Sequence, residues 1–215
     1  MDIIRSFLVD LKMRTTDRIL ELRQMNGDPK VEPRIIMMED GGEVTVREAN
    51  ENDAREILEY LHRNADRFPF MINTADELEK NPTTEIRFIQ AHHRSENCIM
   101  IVATHRMRII GLLNCLGGQK RRTKHDAEFG LSVDADYFRK GVGSAMMDTL
   151  MHWAKNQSPL ERLTLMVMHD NCGAIALYKR YGFIQEGIRH SAVKIDDAHY
   201  QNLIIMARWL RRKEG

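Results

Sequence analysis

Between Ala127 and Phe183 the chain reads as strand, glycine-rich turn, helix, strand, helix, and this order constrains the fold more than any other stretch. Phe129, Leu131 and Val133 alternate with Gly130 and Ser132, the two-residue period of a strand. Asp134 to Ser144 then carries Gly141 and Gly143 into a helix. The helix has Val142, Ala145, Met146, Leu150, Trp153 and Ala154 on or near one face. Such a unit is a ready anion site. Glycines let a phosphate approach the backbone, and the first helical N–H groups point at it with the helix dipole behind them. Two nucleotide motifs do not fit. A Walker loop needs Gly-Lys-Ser/Thr, but Ser144 and Ala145 follow Gly143; a dinucleotide fingerprint needs a third glycine where Met146 stands. What remains is Gly-x-Gly opening a helix.

Downstream lie the strand Leu163 to Val167 and the run Asn171-Cys-Gly-Ala-Ile-Ala-Leu-Tyr178-Lys-Arg-Tyr-Gly182-Phe183. Together these motifs resemble the GNAT superfamily of acetyl-CoA-dependent N-acetyltransferases. In that family Gln/Arg-x-x-Gly-x-Gly/Ala binds the pyrophosphate, and Asn-x-x-Ala-x-x-Leu-Tyr-x-x-x-Gly-Phe closes the cofactor site. The second motif matches at each of these positions. In the first, Phe138 fills the Gln/Arg slot and the arginine comes one residue later, at Arg139.

The resemblance implies an α+β fold with a mixed, mostly antiparallel central sheet flanked by helices. It implies acetyl transfer from acetyl-CoA, a cosubstrate, to a primary amine, with no metal. Backbone groups of Leu131 and Val133 would pair with the pantetheine arm like an added strand, the Val133 N–H facing the thioester carbonyl. The pyrophosphate would rest on Arg139, Lys140, Gly141, Val142, Gly143 and Ser144. Asn171 would touch the cofactor, cap its helix, or do both. Tyr178 is the family-like general acid, with core anchoring as its other reading. Glu128 is a candidate general base through water or a structural glutamate; His169 and Asp170 are further candidates. The acceptor stays open: Gln201 and Asn202 follow Tyr200, where ribosomal-protein acetyltransferases commonly place an acidic residue. An alternative function is a non-catalytic acetyl-CoA-binding sensor of the same fold; a third is a scaffold without coenzyme A.

The rest of the chain is read in order. Residues 2–25 have the period of an extra N-terminal helix, suited to packing outside the domain, to a homodimer contact or to a lid, and 26–42 read as a linker. The acetyltransferase-like domain is expected over 43–210. Glu43 to Glu48 is a strand; Asn50 or Asn52 caps a helix to about Arg63. Residues 64–73 have no clear period, Thr74 to Glu77 has the form of a capping box, and Thr84 caps a helix to about His92. Adjacent His92 and His93 face different directions on a helix and are expected at its solvated end. Cys98 to Ala103, Ile109 to Leu116 and His125 to Val133 continue a four-strand meander, with the turn at Thr104-His105-Arg106 and a basic hairpin tip at Gln119 to Lys124. Ile184 to Arg189 and Tyr200 to Ala207 are the last strands, followed by a basic tail, Arg208 to Lys213.

Composition narrows the partners. The net charge of +1 carries no nucleic-acid field. No apolar run approaches a membrane span, and three cysteines at unrelated spacings argue against a disulfide framework or zinc site. With no signal-like leader read at the N-terminus, the expected compartment is the cytoplasm.

Overall fold

The computed structural model describes residues 29–65 and 67–210; the expected helix over 2–25 and the end of the basic tail lie outside them. The strands are β1 (Arg34–Met37), β2 (Glu43–Glu48), β3 (Ile99–His105), β4 (Arg108–Gly117), β5 (Asp126–Val133), β6 (Arg162–Met168), β7 (Ile184–Lys194) and β8 (Tyr200–Trp209). They form one eight-stranded sheet in the order β1-β2-β3-β4-β5-β6-β8-β7. Every pairing is antiparallel except β5–β6. Helices α1 (Ala54–Ala65), α2 (Pro82–Arg94), α3 (Val142–Asn156) and α4 (Cys172–Arg180) flank it. The fold is α+β, as the motifs imply.

Each face of the sheet has its own core. On one, Val142, Met146, Leu150 and Trp153 of α3 and Tyr178 of α4 pack on Leu113, Phe129, Leu163 and Leu165. On the other, Ile57 and Tyr60 of α1 and Ile89 of α2 pack on Met100, Val102 and Ile109. The crossover from β5 through α3 to β6 is the connection that parallel neighbours need.

The linker reading does not hold at residues 34–37. They form edge strand β1, paired antiparallel with β2 through the turn at Gly41, whose φ is 79°. The expected boundary at 42/43 therefore falls inside a hairpin. Val31 and Met38 are buried in the main core. The Lys30 ammonium donates to the carbonyls of His92 (2.5 Å), Ser95 (2.6 Å) and Cys98 (2.8 Å) at the end of α2, a cation on helix-terminal carbonyls. Four strand residues without alternation gave the sequence no period to show.

Four local readings also change. Asn81, followed by Pro82, caps α2 in place of Thr84; proline at the first helical position lacks only an N–H that would be unsatisfied anyway. Glu77 does accept from the Thr74 N–H, but the Thr74 hydroxyl turns to Asp76 and no helix follows. His92 is buried rather than solvated, with Nδ1 at 2.8 Å from the Phe88 carbonyl and Nε2 at 2.6 Å from Asn114 Oδ1. The β3–β4 turn sits at Arg106 and Met107, both with positive φ, which matches the twist of a two-residue hairpin.

Removing residues 30–38 takes out the buried Val31 and Met38, each worth about 1.5–3 kcal/mol. A chain beginning at Glu39 is expected to melt about 6–24 °C below one beginning at Pro29. Coincident melting curves would show that β1 contributes nothing to the domain.

Candidate active site

The site is built on an incomplete strand pair. β5 and β6 pair only at Asp126↔Arg162, Ala127↔Leu163 and Glu128↔Thr164. Beyond Glu128 the two strands part, while β5 stays paired with β4 to Val133 and β6 with β8 to Met168. A wedge-shaped cleft opens between them.

The backbone of β5 is directed accordingly. The Asp134 N–H donates to the Ile110 carbonyl and the Gly118 N–H to the Asp126 carbonyl, so the even-numbered residues exchange hydrogen bonds with β4. Residues 129, 131 and 133 then turn their N–H and C=O groups the other way, into the cleft. These are the groups assigned from sequence to Leu131 and Val133.

The glycine turn closes the wide end of the cleft. Gly141 is the N-cap of α3 at φ 86°, and no side chain caps the helix. The leading N–H groups of α3 therefore have no side-chain acceptor, and they suit an anion. A Cβ on Gly143 would meet Leu177 of α4 at 3.4 Å and Val133 at 3.9 Å. Those are ordinary contacts, so the fold itself does not demand glycine there. The absent side chain leaves room for a ligand to approach the backbone between β5 and α4. The pyrophosphate of acetyl-CoA fits this cradle.

Several side chains fix the turn. Asp134 is buried, its Oδ1 accepts from the Asp136 N–H, and its Oδ2 lies 3.7 Å from Arg63 Nε on α1. Arg63 also donates to the Ile109 carbonyl at 2.8 Å. Phe138 packs edge-on against Phe68 at 5.7 Å, so at the slot where the family has Gln/Arg the side chain serves packing. Lys140 is directed to Asp40 at 3.2 Å and over the Tyr137 ring; Arg139, at φ 60°, is exposed. The backbone of this turn is thus better placed for an anion than the Lys140 side chain is.

On the other wall, Asn171 Oδ1 accepts from the Ala174 N–H at 3.1 Å and caps α4. Tyr178 is buried, and its ring lies 5.8 Å from that of Phe129 and 6.2 Å from that of Phe183. Burial pushes its phenol up to about 12, so it holds its proton at neutral pH and is available as a proton donor. Glu128 is exposed on the opposite face of the sheet, beside Thr164 where the strands begin to part. His169 and Asp170 sit past the end of β6, 3.1 Å apart, with Asp170 also held by Gln201 at 2.6 Å.

Sequence reasoning missed three contributors. Tyr60 of α1 reaches Ser132 of β5 at 3.0 Å. The Tyr181 hydroxyl donates at the start of α3, 2.8 Å from the Ser144 carbonyl and 2.7 Å from Asp148. Arg180 Nη2 lies 3.4 Å from Ser144 Oγ. The arginine and tyrosine before Gly182 were visible; that α4 returns them to the glycine turn was not. Among the described residues no cluster of His, Cys, Asp and Glu could hold a metal ion, and no helix is long and apolar enough to cross a membrane.

The family model described as "Acetyltransferase (GNAT) family" matches residues 57–183. The L-amino acid N-acetyltransferase AaaT of Escherichia coli is 30% identical over 122 residues, covering 52% of this chain and 75% of that protein. The ribosomal protein bS18-alanine N-acetyltransferase of Escherichia coli is 35% identical over 79 residues, 37% of this chain and 52% of that protein. A GNAT-family acetyltransferase structure from Streptococcus pneumoniae superposes with a TM-score of 0.73 at 25% identity, covering 77% of this chain and 98% of that one. A putative acetyltransferase from Salmonella typhimurium, solved with its cofactor acetyl-CoA, shares the fold with a TM-score of 0.69 at 14% identity, covering 80% and 96%.

Gly143→Val fills the space between Val133 and Leu177. It is expected to weaken acetyl-CoA binding at least about tenfold by calorimetry while shifting the melting temperature by no more than about 4 °C, equivalent to about 1 kcal/mol. Unchanged affinity in a folded variant would remove the glycine turn from the site.

Proposed function

The chain belongs to the GNAT acetyltransferase family, and on that premise we propose that it moves an acetyl group from acetyl-CoA to the amino nitrogen of an amino acid or of a protein N-terminus. The observation that carries this reading is the parted β5–β6 pair, with unpaired β5 backbone on one side and Tyr178 on the other. The acceptor class rests on the two relatives named for acetylating an amino-acid nitrogen.

The roles follow from position. Leu131 and Val133 take up the amides of the pantetheine arm from the cleft side of β5, and α3 holds the pyrophosphate through its first N–H groups. The arm then runs from the glycine turn toward the narrow end of the cleft. Val133 stands at the wide end, four residues or about 13 Å along the strand from Phe129, against which Tyr178 packs. The N–H of Leu131 is therefore better placed than that of Val133 to meet the thioester carbonyl next to Tyr178. Two groups act as charge moves: the strand N–H steadies the oxygen, and Tyr178 gives its proton to the departing sulfur.

The acceptor approaches from the face opposite α4, where Glu128 flanks the narrow end. Glu128 is exposed and can take the ammonium proton through a water. His169 and Asp170 are engaged with each other at the far end of β6, which favours Glu128 for this step. Asn171, besides capping α4, keeps its amide NH2 for the cofactor.

Tyr178→Phe keeps the ring and removes the hydroxyl. Acetyl-CoA affinity is expected to stay within about twofold, while kcat falls by about a hundredfold or more, the range for losing a general acid. Thiol release under chemistry-limited conditions, beside a binding titration, measures both. An undiminished kcat would reduce Tyr178 to a packing residue. Acetyl-CoA binding without thiol release across an amine panel would instead support a sensor.

A further inference from the structure

The face of the sheet that carries Glu128 also carries an arginine that no catalytic role has absorbed. Arg189 of β7 pairs with Leu203 of β8, which pairs with Met168 of β6. This places Arg189 on the same face as Thr164, Met166 and Glu128, away from α3 and α4. Its side chain does not turn outward from the sheet edge. It crosses β8, and Nη1 lies 3.6 Å from the Met166 thioether. Met166 is the next residue on that face after Thr164, the last β6 residue paired with β5, so the guanidinium is directed toward the mouth of the cleft.

The guanidinium has no carboxylate partner among the described residues. Glu186 and Asp126 are taken by Arg162 and Asp170 by Gln201 and His169, while Glu128, across the cleft on β5, makes no ion pair with Arg189 among the described residues. Arg47 and Arg63, by contrast, are ion-paired, Arg47 to Asp53 at 2.7 Å and Arg63 to Asp134 at 3.7 Å. Arg189 instead lies on a thioether, a weak acceptor that leaves its fork of N–H donors open. A guanidinium laid over an apolar patch is matched best by a planar anion bound through two parallel hydrogen bonds.

We propose that Arg189 binds the carboxylate of the acceptor, and that the acceptor is therefore a free α-amino acid rather than a polypeptide N-terminus. The inference rests on the acetyl-transfer reading of the site and names its substrate class. An α-amino acid carries its carboxylate one carbon from its amine. With the amine at the narrow end of the cleft beside Glu128, the carboxylate falls on the Met166 side, toward Arg189. A peptide N-terminus has an amide at that position and offers no charge there. The remaining face accommodates the amino-acid side chain over Gly130, where a Cβ would meet nothing within 4 Å.

The test compares free L-amino acids with the corresponding L-amino acid amides as acceptors, with thiol release as the signal, in the full chain and in Arg189→Gln and Arg189→Lys. The unaltered protein is expected to favour the acid over its amide by about tenfold or more in kcat/KM. Arg189→Gln should collapse that ratio by about 10- to 100-fold, the effect of losing a charge-assisted hydrogen-bond pair, mainly through KM for the acid. Arg189→Lys should restore part of it, and calorimetry should show acetyl-CoA affinity unchanged in both variants. Equal use of acid and amide by the unaltered protein, or an equal loss on both in Arg189→Gln, would overturn the assignment while leaving acetyl transfer intact. Acetyl-CoA binding with no turnover of any acid or amide would overturn the acetyl-transfer reading, and this inference with it.

Discussion

The structure depends on three residue pairs of parallel strand, after which β5 and β6 separate. Backbone N–H and C=O groups need partners, and a strand that loses its neighbour keeps a row of them open. β5 can bear this because β4 satisfies its other edge along the whole strand, and β6 can because β8 does the same. The two strands are thus fixed independently on either side of a gap, and an extended chain carrying amides can fill it. A small ligand with an amide arm and an anionic head meets its hydrogen bonds in the order the sheet presents them: strand edge first, helix N-terminus at the wide end.

Rigidity at the wide end comes from the opposite face of the sheet. Asp134 closes β5 against β4, caps the short turn that follows, and lies against Arg63 of α1. Phe68 and Phe138 join the segment after α1 to the same turn. The glycine turn proposed to hold the pyrophosphate is therefore tied to α1 and the segment that follows it. On the other wall α4 is held by its Asn171 cap and by the packing of Tyr178 on Phe129 and Phe183. The same burial that fixes the Tyr178 ring raises its pKa, which suits an acid that must stay protonated until a thiolate develops.

Much of this was legible in the sequence where chemistry and local structure coincide. The alternation of β5, the two glycines and the Asn171 to Phe183 run each state a local geometry, and α3, β6 and α4 follow them within a residue or two. The unreadable parts depend on distant partners. β1 is too short to show a period and is a strand only because β2 lies beside it. His92 looks like a polar helix end, and its burial comes from Asn114 on a strand not yet formed in the sequence. Arg189 appears as one more charge on a final strand; only the order β6-β8-β7 turns it toward the cleft. β7 itself continues to Lys194 past a bulge held by Asn202 at the Ser191 N–H, a continuation that alternation alone does not forecast.

The central claim is that the cleft edge of β5 is the cofactor's strand partner, and amide hydrogen exchange followed residue by residue by NMR tests it most directly. Without ligand, the N–H groups of Gly130 and Ser132, paired to β4, should exchange slowly, and those of Leu131 and Val133 quickly. Saturating acetyl-CoA should slow Leu131 and Val133 and leave the even-numbered residues nearly as they were. Binding that leaves Leu131 and Val133 exchanging as fast as before would contradict the account, because the ligand would then be held somewhere other than the gap between β5 and β6.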